Sequence, residues 1–516
     1  MKTKIIHLLF PLSTFLFPLL LLSCGKKVPQ QYAESDELPT IYPDYTNVTV
    51  PVNIAPLTFE LDDKADDMVA RLTAGDEEVV CGGSKIQPGM DEWRQLVQSA
   101  LRQQTRAIQV EVYVDRYNHW TRFKPFNIYV SPDSIDPYIS YRLIPPSYVV
   151  YEDLTISQRC LENYDESVIY DNMLCSEGTQ GQCINCHNYQ QYNPERMQFH
   201  ARQHQGGTII AYDGQIKKVN LHADSLLSAG VYPAWHPWLK LIVYSTNLTA
   251  QTFHAVHPDK VEVFDTQSDL IAYDVENNEV MHIENDPTEL DCFPCWAPDG
   301  RTLYYCSAHF EYRDTIDHGQ ELLKRTEEVK YSLYKKSFDP ETLQFGPREL
   351  VFPSVNSKPS TVNNQSATLP RVSPDGRYLM FTLARYGVFH IWHHDADLWL
   401  LDLQTGESRN MEEINSPDTE SYHSWSSNGR WVVFSSRRYD GNYTRPFIAH
   451  IDRQGRGSKP FELPSADPDY HRQFLKCYNI PEFMRGPVTI RPQQFADVIK
   501  QDAEPAEYVP SFKDRH

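Results

Sequence analysis

Positive charge is scarce in this chain: 516 residues hold 48 Lys and Arg against 69 Asp and Glu, a formal net charge of −21. A nucleic-acid surface must neutralise phosphates with a basic face, so no nucleic-acid partner is expected. The same deficit would repel anionic lipid, leaving acyl chains as the means of holding a membrane. Long apolar runs are equally rare. Beyond the first 22 residues no stretch approaches the roughly 20 apolar residues that a membrane span needs. Hydrophobic side chains still make up 41% of the chain, enough at this length for more than one core.

The single long apolar stretch lies at the start. Lys2 and Lys4 precede a mostly apolar run from Ile5 to Leu22, interrupted by Pro11 and Pro18, and then Ser23-Cys24-Gly25. That order is an export signal and not a spanning helix. The ending Leu21-Leu22-Ser23-Cys24 resembles the bacterial lipoprotein signal, which implies removal of residues 1–23 and lipidation of Cys24. An uncleaved anchor is the alternative. The expected location is the cell envelope, on the periplasmic side or at the outer membrane, with residues 24–40 as a polar tether.

Cysteine is sparse, ten in all, and two lie in Cys183-Ile184-Asn185-Cys186-His187, which has the form of a c-type haem attachment site. Two thiols at that spacing can add to the vinyl groups of one haem, with His187 as the proximal iron ligand. Haem c is therefore an expected cofactor. The sixth ligand would come from Met197 or His200, with His204 also near. On a strand Met197 and His200 point to opposite faces, so both could not meet the iron. Cys292-Phe293-Pro294-Cys295 repeats the spacing but continues with Trp296. A structural disulfide, involving Cys306 on the next strand, is the reading there.

From about residue 230 a pattern recurs. Tyr232 to Pro237, Phe293 to Arg301, Leu369 to Arg377 and His423 to Arg430 each lead into a short aromatic and β-branched strand. Asp-Gly or Asn-Gly supplies the positive φ of a tight turn in the last three. The anchors Trp235, Trp296, Val372 and Trp425 stand roughly 50 to 75 residues apart, so copies of a strand unit must pack on one another, most simply around an axis. The predicted fold is all-β: a β-propeller over 176–490, with a two-sheet sandwich as the weaker alternative, a small β-rich domain with one helix over 41–175, and a tail over 491–516. The helix is expected from Met90 to Gln104, with Trp93, Leu96, Val97, Ala100 and Leu101 on one face. The haem motif falls on or before the first blade. Thr208 to Ile216, with Asp213-Gly214, is a hairpin that could belong to that blade.

Two other groups invite a chemical reading. His390, His393, His394 and Asp395 have metal-binding side chains, but adjacent histidines on a strand diverge, so packing and surface hydrogen bonds are the favoured use. Asp133 and Asp136, between Pro132 and Pro137, are read as solvated turn residues and not as an acid–base pair.

The Pro-Asp-Gly-Arg hairpins at 298–301 and 374–377, with the related His423 to Ser436, resemble the TolB-like propeller repeats known as PD40 or WD40-like. The whole chain, from Tyr138-Ile139-Ser140-Tyr141-Arg142 through the haem motif to Pro481-Glu482-Phe483, is similar to exported Bacteroidetes lipoproteins that combine the two. The copy at Trp235 lacks Asp-Gly and that at Ser427 lacks Pro-Asp. Such repeats specify architecture and say little about activity. Two functions remain open, and an enzyme such as a peroxidase ranks behind them because no acid–base pair stands near the haem motif. One is a lipid-anchored electron carrier or redox sensor that docks a redox or envelope protein through the propeller. The other is a non-catalytic envelope binding or assembly scaffold with structural haem or none.

Overall fold

A computed structural model describes residues 26–146, 153–177, 181–257, 259–313, 317–353 and 364–512. Cys24 lies outside them. From residue 138 onward the chain forms a six-bladed β-propeller, each blade a four-stranded antiparallel sheet. The first blade is Gln182–Tyr189, Arg196–Gln203, Gly207–Tyr212 and Gln215–Asn220. The inner strands of the next four are Val231–Trp235, Glu289–Trp296, Ser366–Val372 and Glu420–Trp425. The sixth inner strand, Cys477–Met484, arrives from the far end of the chain and pairs with Tyr138–Ile144, which leads on to Thr155–Cys160 and Glu166–Asp171. Consecutive inner strands touch one another all the way round, the sixth against the first, so the ring is closed by strands from both ends. Second strands such as Tyr378–Ala384 and Trp431–Ser436 are buried along their whole length. A blade covered on both faces by neighbours needs no polar face, which is why these segments are continuous apolar runs without alternation.

The anchors earn their place at the blade junctions. Trp296 Nε1 donates to the Ala234 carbonyl and Trp425 Nε1 to the Arg371 carbonyl, each at 3.1 Å and each reaching the preceding blade one residue before its own anchor. After the anchor the turn is held by side chains. Ser373 Oγ accepts from the Tyr378 amide at 2.9 Å, and Ser426 Oγ accepts from the Trp431 amide at 3.0 Å. Gly300, Gly376 and Gly429 take φ of +56°, +72° and +67°, a region closed to most side chains.

The domain boundaries differ from the sequence expectation. The N-terminal domain ends at Ser131, not at 175, because Tyr138–Ile144 and its two neighbours belong to the sixth blade. Residues 26–40 are not a free tether: Ala33–Glu34 adds a strand to the domain beside His119–Arg122, and Arg122 pairs with Glu34 at 2.8 Å. The expected helix is Met90–Leu101, burying Trp93, Leu96, Val97 and Ala100 against a seven-stranded sheet. Asp133 and Asp136 are not idle turn residues. Asp133 pairs with His450 at 3.0 Å, and Asp136 accepts from the amide and hydroxyl of Ser427 at 2.6 Å, locking the domain to the fifth blade. The tail is structured as well: helix Pro492–Ile499 buries Phe495, Ala496 and Ile499, and Glu504–Pro505 and Glu507–Tyr508 extend the outer edges of the first and second blades.

Trp296→Phe keeps an aromatic ring at the junction but leaves the Ala234 carbonyl without its donor. A loss of about 1–3 kcal/mol is expected in urea denaturation, and an unchanged midpoint would show that this bond does not join the blades.

Candidate functional site

All six inner strands carry the same irregularity. In each, three residues span what two span on the partner strand: 185–188, 231–234, 292–295, 368–371, 421–424 and 479–482. The first residue inside each bulge is left-handed: Cys186, Tyr232, Phe293, Leu369, Tyr422 and Ile480 have φ between +47° and +58°. The second is Pro in four blades, Pro233, Pro294, Pro370 and Pro481, and His in two, His187 and His423. The pentapeptide singled out in the sequence is thus the first blade's copy of the propeller's own repeat, and Tyr189 and Phe483 stand where the other blades carry Trp or Val.

The bulges meet at the axis around a narrow cavity of about 40 Å³, lined by Cys186, His187, Tyr232, Phe293, Leu369 and Tyr422 among others. Arg371 and Glu482 face each other in it at 3.2 Å, and Asn188 donates to the same carboxylate oxygen at 3.4 Å. At one end the channel widens into a mouth of about 370 Å³, whose lining includes Arg142, Cys183, Asn185, Arg202, Trp392 and Tyr422. The second blade's long hairpin, Leu241–Phe253 with Val261–Asp274, forms one wall through Thr249, Gln251 and Val263.

Cys186 and His187 border the narrow cavity and Cys183 borders the mouth, so neither cavity is lined by both thiols. A space of about 40 Å³ holds a few waters, whereas small-ligand sites occupy roughly 300–1,000 Å³. Met197 and His200 point to opposite faces of their strand, as period two requires. Met197 is buried in the core with Cys183 and Phe199, and His200 Nδ1 lies 3.2 Å from Thr208 Oγ1 beside a different cavity. These residues do not fit a haem. His187 has the one feature that a ligand would show, since neither ring nitrogen has a well-aligned hydrogen-bond partner. Its ring lies against the backbone of Ser140 and Ile480. Burial, with the Arg142 charge, pushes it down to about 3.

The other sequence candidates resolve into pairs. Nε2 of His393 lies 3.1 Å from the Glu262 carboxylate, both fully buried, and His394 Nδ1 lies 2.7 Å from Asp259. Burial lowers His393, and Glu262 more than offsets it, so the imidazole stays above its ordinary value. His390 meets Thr368 Oγ1 at 3.0 Å, and Asp395 accepts from the Arg385 amide at 3.0 Å. Among the described residues no three His, Cys, Asp or Glu side chains converge on a metal position. The expected disulfide is absent too. The nine described cysteines are all free, and Cys306, the register partner of Cys292, directs its sulfur to the Cys292 carbonyl at 3.3 Å. Sequence reasoning missed Arg142, Arg202 and the ring of left-handed residues. The signal available for the ring was the residue three places before each anchor.

No family model matches the chain, and no curated protein does. Among solved structures it is similar to the prolyl oligopeptidase B of Galerina marginata, at 11% identity and TM-score 0.34 over 69% of this chain and 42% of that one. The periplasmic gluconolactonase PpgL of Pseudomonas aeruginosa matches at 11% identity and TM-score 0.31, over 63% of this chain and 97% of that one. The β-propeller domain of the Trilobed protease from Pyrococcus furiosus matches at 11% identity and TM-score 0.32, over 70% and 95%. The all-β propeller assignment rests on the strand pairing itself.

His187→Pro gives the first blade the residue that four others carry, and it should fold. The wild-type imidazole is near 3 when folded and about 6.5 when unfolded. Its stabilisation is complete above the unfolded value and is lost as pH falls toward the folded one, by up to about 1.4 kcal/mol per pH unit. Unfolding free energies between pH 6 and 4 should therefore fall less steeply in the variant. Equal slopes would mean that this histidine titrates in the native state.

Proposed function

We propose that this chain is an exported, lipid-anchored propeller of the TolB-like, PD40-repeat kind, acting as a non-catalytic binding scaffold of the cell envelope without covalent haem. The observation that carries the reading is the coincidence of the haem-like pentapeptide with one of six equivalent bulges. Cys186 and His187 have a structural duty there that the other blades fulfil with Tyr-Pro, Phe-Pro, Leu-Pro, Tyr-His and Ile-Pro. A motif whose two most informative letters are explained by the fold loses its force as a cofactor signal. What supports binding is the shape of the mouth: about 370 Å³, aromatic and polar, roofed by one hairpin, in the size range of small-ligand pockets. Envelope proteins are the partners proposed for the outer rim, and the acyl group on Cys24 would hold the propeller at the membrane.

The test is expression of the full chain beside a cytochrome c maturation system. The expected result is a protein that takes no haem stain on a denaturing gel, in which Cys183 and Cys186 react with iodoacetamide only after unfolding. Palmitate labelling should be present and lost in Cys24→Ala. A stained band that disappears in Cys183→Ala would overturn the scaffold reading in favour of an electron carrier.

A further inference from the structure

The charge at the mouth runs against that of the molecule. In a chain of net charge −21, the mouth lining contains two guanidinium groups, Arg142 and Arg202, and no carboxylate. Neither arginine has an acidic partner within ion-pair distance among the described residues, whereas Arg371 deeper in the channel is matched by Glu482. The nearby Asp265 is engaged by Asn247 and Thr249, each at 2.6 Å, and burial raises it to about 6. Arg142 is only 6% exposed. Its Nη1 donates to the Ile184 carbonyl at 3.2 Å, and its Nη2 to the Asn479 amide oxygen at 3.1 Å in the amide orientation that satisfies both. Its Nε is buried without an acceptor. Asn185, 9% exposed and lining the same cavity, has its Oδ1 buried without a donor. Arg202 reaches in from the rim, its nearest partner being the Cys183 sulfur at 3.9 Å. A buried cation and an acceptor left unsatisfied are costly unless something completes them.

We infer that the mouth of the channel binds an organic carboxylate that carries a hydroxyl or amide N–H donor beside the acid group, its body resting on Tyr422 and Trp392. The carboxylate takes the Arg202 guanidinium at the rim and the charge of Arg142 beneath it, and the Arg142 and Asn185 side chains turn toward the ligand to bring the Arg142 Nε–H and Asn185 Oδ1, both closed off without it, into contact. The neighbouring donor takes Asn185 Oδ1. A phosphate is disfavoured because its tetrahedral oxygens do not match the planar guanidinium pairing of a carboxylate, and its one P–OH lies on the charged group itself instead of beside it. The chemistry is shared by acidic sugars and by the C-terminal end of a peptide. This inference rests on the scaffold reading of the channel and deepens it.

The experiment is isothermal titration of the full chain with glucuronate and with N-acetyl-phenylalanine. Glucose and N-acetyl-phenylalanine amide serve as charge-free counterparts, with inorganic phosphate as a further arm. At least one carboxylate should bind, its neutral counterpart about tenfold more weakly or worse, and the responding arm identifies a sugar or a peptide source. Arg202→Gln, a rim change that leaves the ring intact, should weaken binding about tenfold. Asn185→Asp should weaken it further by placing like charge beside the acid. Arg142→Gln is expected to abolish binding, and Arg202→Gln keeps the test decisive if that variant fails to fold. Silence from both carboxylates at millimolar concentration, equal binding of the neutral counterparts, unchanged affinity in Arg202→Gln, or preference for phosphate would each overturn the inference. A haem-stained chain that still bound glucuronate through Arg202 would remove the scaffold reading while leaving this site in place.

Discussion

Six non-glycine residues held in the left-handed region, one per blade, are what the rest of this propeller depends on. An L-residue there costs on the order of 1–2 kcal/mol, and Ile480, being β-branched, is an especially unfavourable occupant. Such strain persists only where the surrounding structure over-determines it. Here it does so six times over. Each bulge turns its inner strand so that its left-handed residue reaches the axis, and in the third and fifth blades the Trp three residues further on reaches back to the preceding blade. Regular strands would run past one another at the centre and leave Trp296 and Trp425 without their carbonyls. The channel, its width and the residues that line it all follow from that one local distortion.

Closure follows from the same logic. A ring of sheets has no end to protect only if its last blade is joined to its first, and this chain joins them by pairing Cys477–Met484 with Tyr138–Ile144. Edge strands would otherwise invite association with other chains. The sixth blade's core is then shared with the N-terminal domain, since Ile139, Tyr141 and Phe483 pack in one cluster with Val110, Ile128 and Trp431. The domain is therefore no separate appendage. It buttresses the fifth and sixth blades, with Asp133 and Asp136 supplying the polar contacts at the seam.

Much of this was legible in the sequence, and the limits have physical causes. Asp-Gly and Asn-Gly turns next to a Trp or Val anchor marked three blades, because those turns need residues that tolerate positive φ and so leave a signature. Trp235 marked a fourth without the turn. The first blade was marked only by its Asp213-Gly214 hairpin, since Tyr189 replaces the anchor, and the sixth was hidden because Phe483 replaces the anchor and the blade is assembled from segments more than 300 residues apart. Helix Met90–Leu101 was readable from its apolar face, since periodicity survives wherever one face meets a core. Where the two thiols of the haem motif would fall was not legible for a related reason. Periodicity reveals which face of a strand a thiol occupies only when the strand is regular, and the bulge between Asn185 and Asn188 breaks the alternation. Arg142 and Arg202 gave no signal at all, since an arginine without an acidic partner looks in sequence like any surface arginine.

The mouth owes its shape to a ribbon that could not stand alone. A two-stranded hairpin is marginal in water without a packed face, yet Leu241–Phe253 and Val261–Asp274 extend well beyond their own blade. The outer part is tied across the opening. Glu262 meets buried His393, Asp259 meets His394, and Lys260 donates to Asn442 of the fifth blade at 2.7 Å. Removing one partner of a buried pair such as Glu262 and His393 strands a charge, at about 3–5 kcal/mol. That penalty exceeds anything a few exposed ribbon contacts supply, so the ribbon is a fixed wall and not a loose arm. The histidine-rich segment, read in sequence as packing and hydrogen-bonding residues, is thus the clasp that holds one wall of the cavity in place.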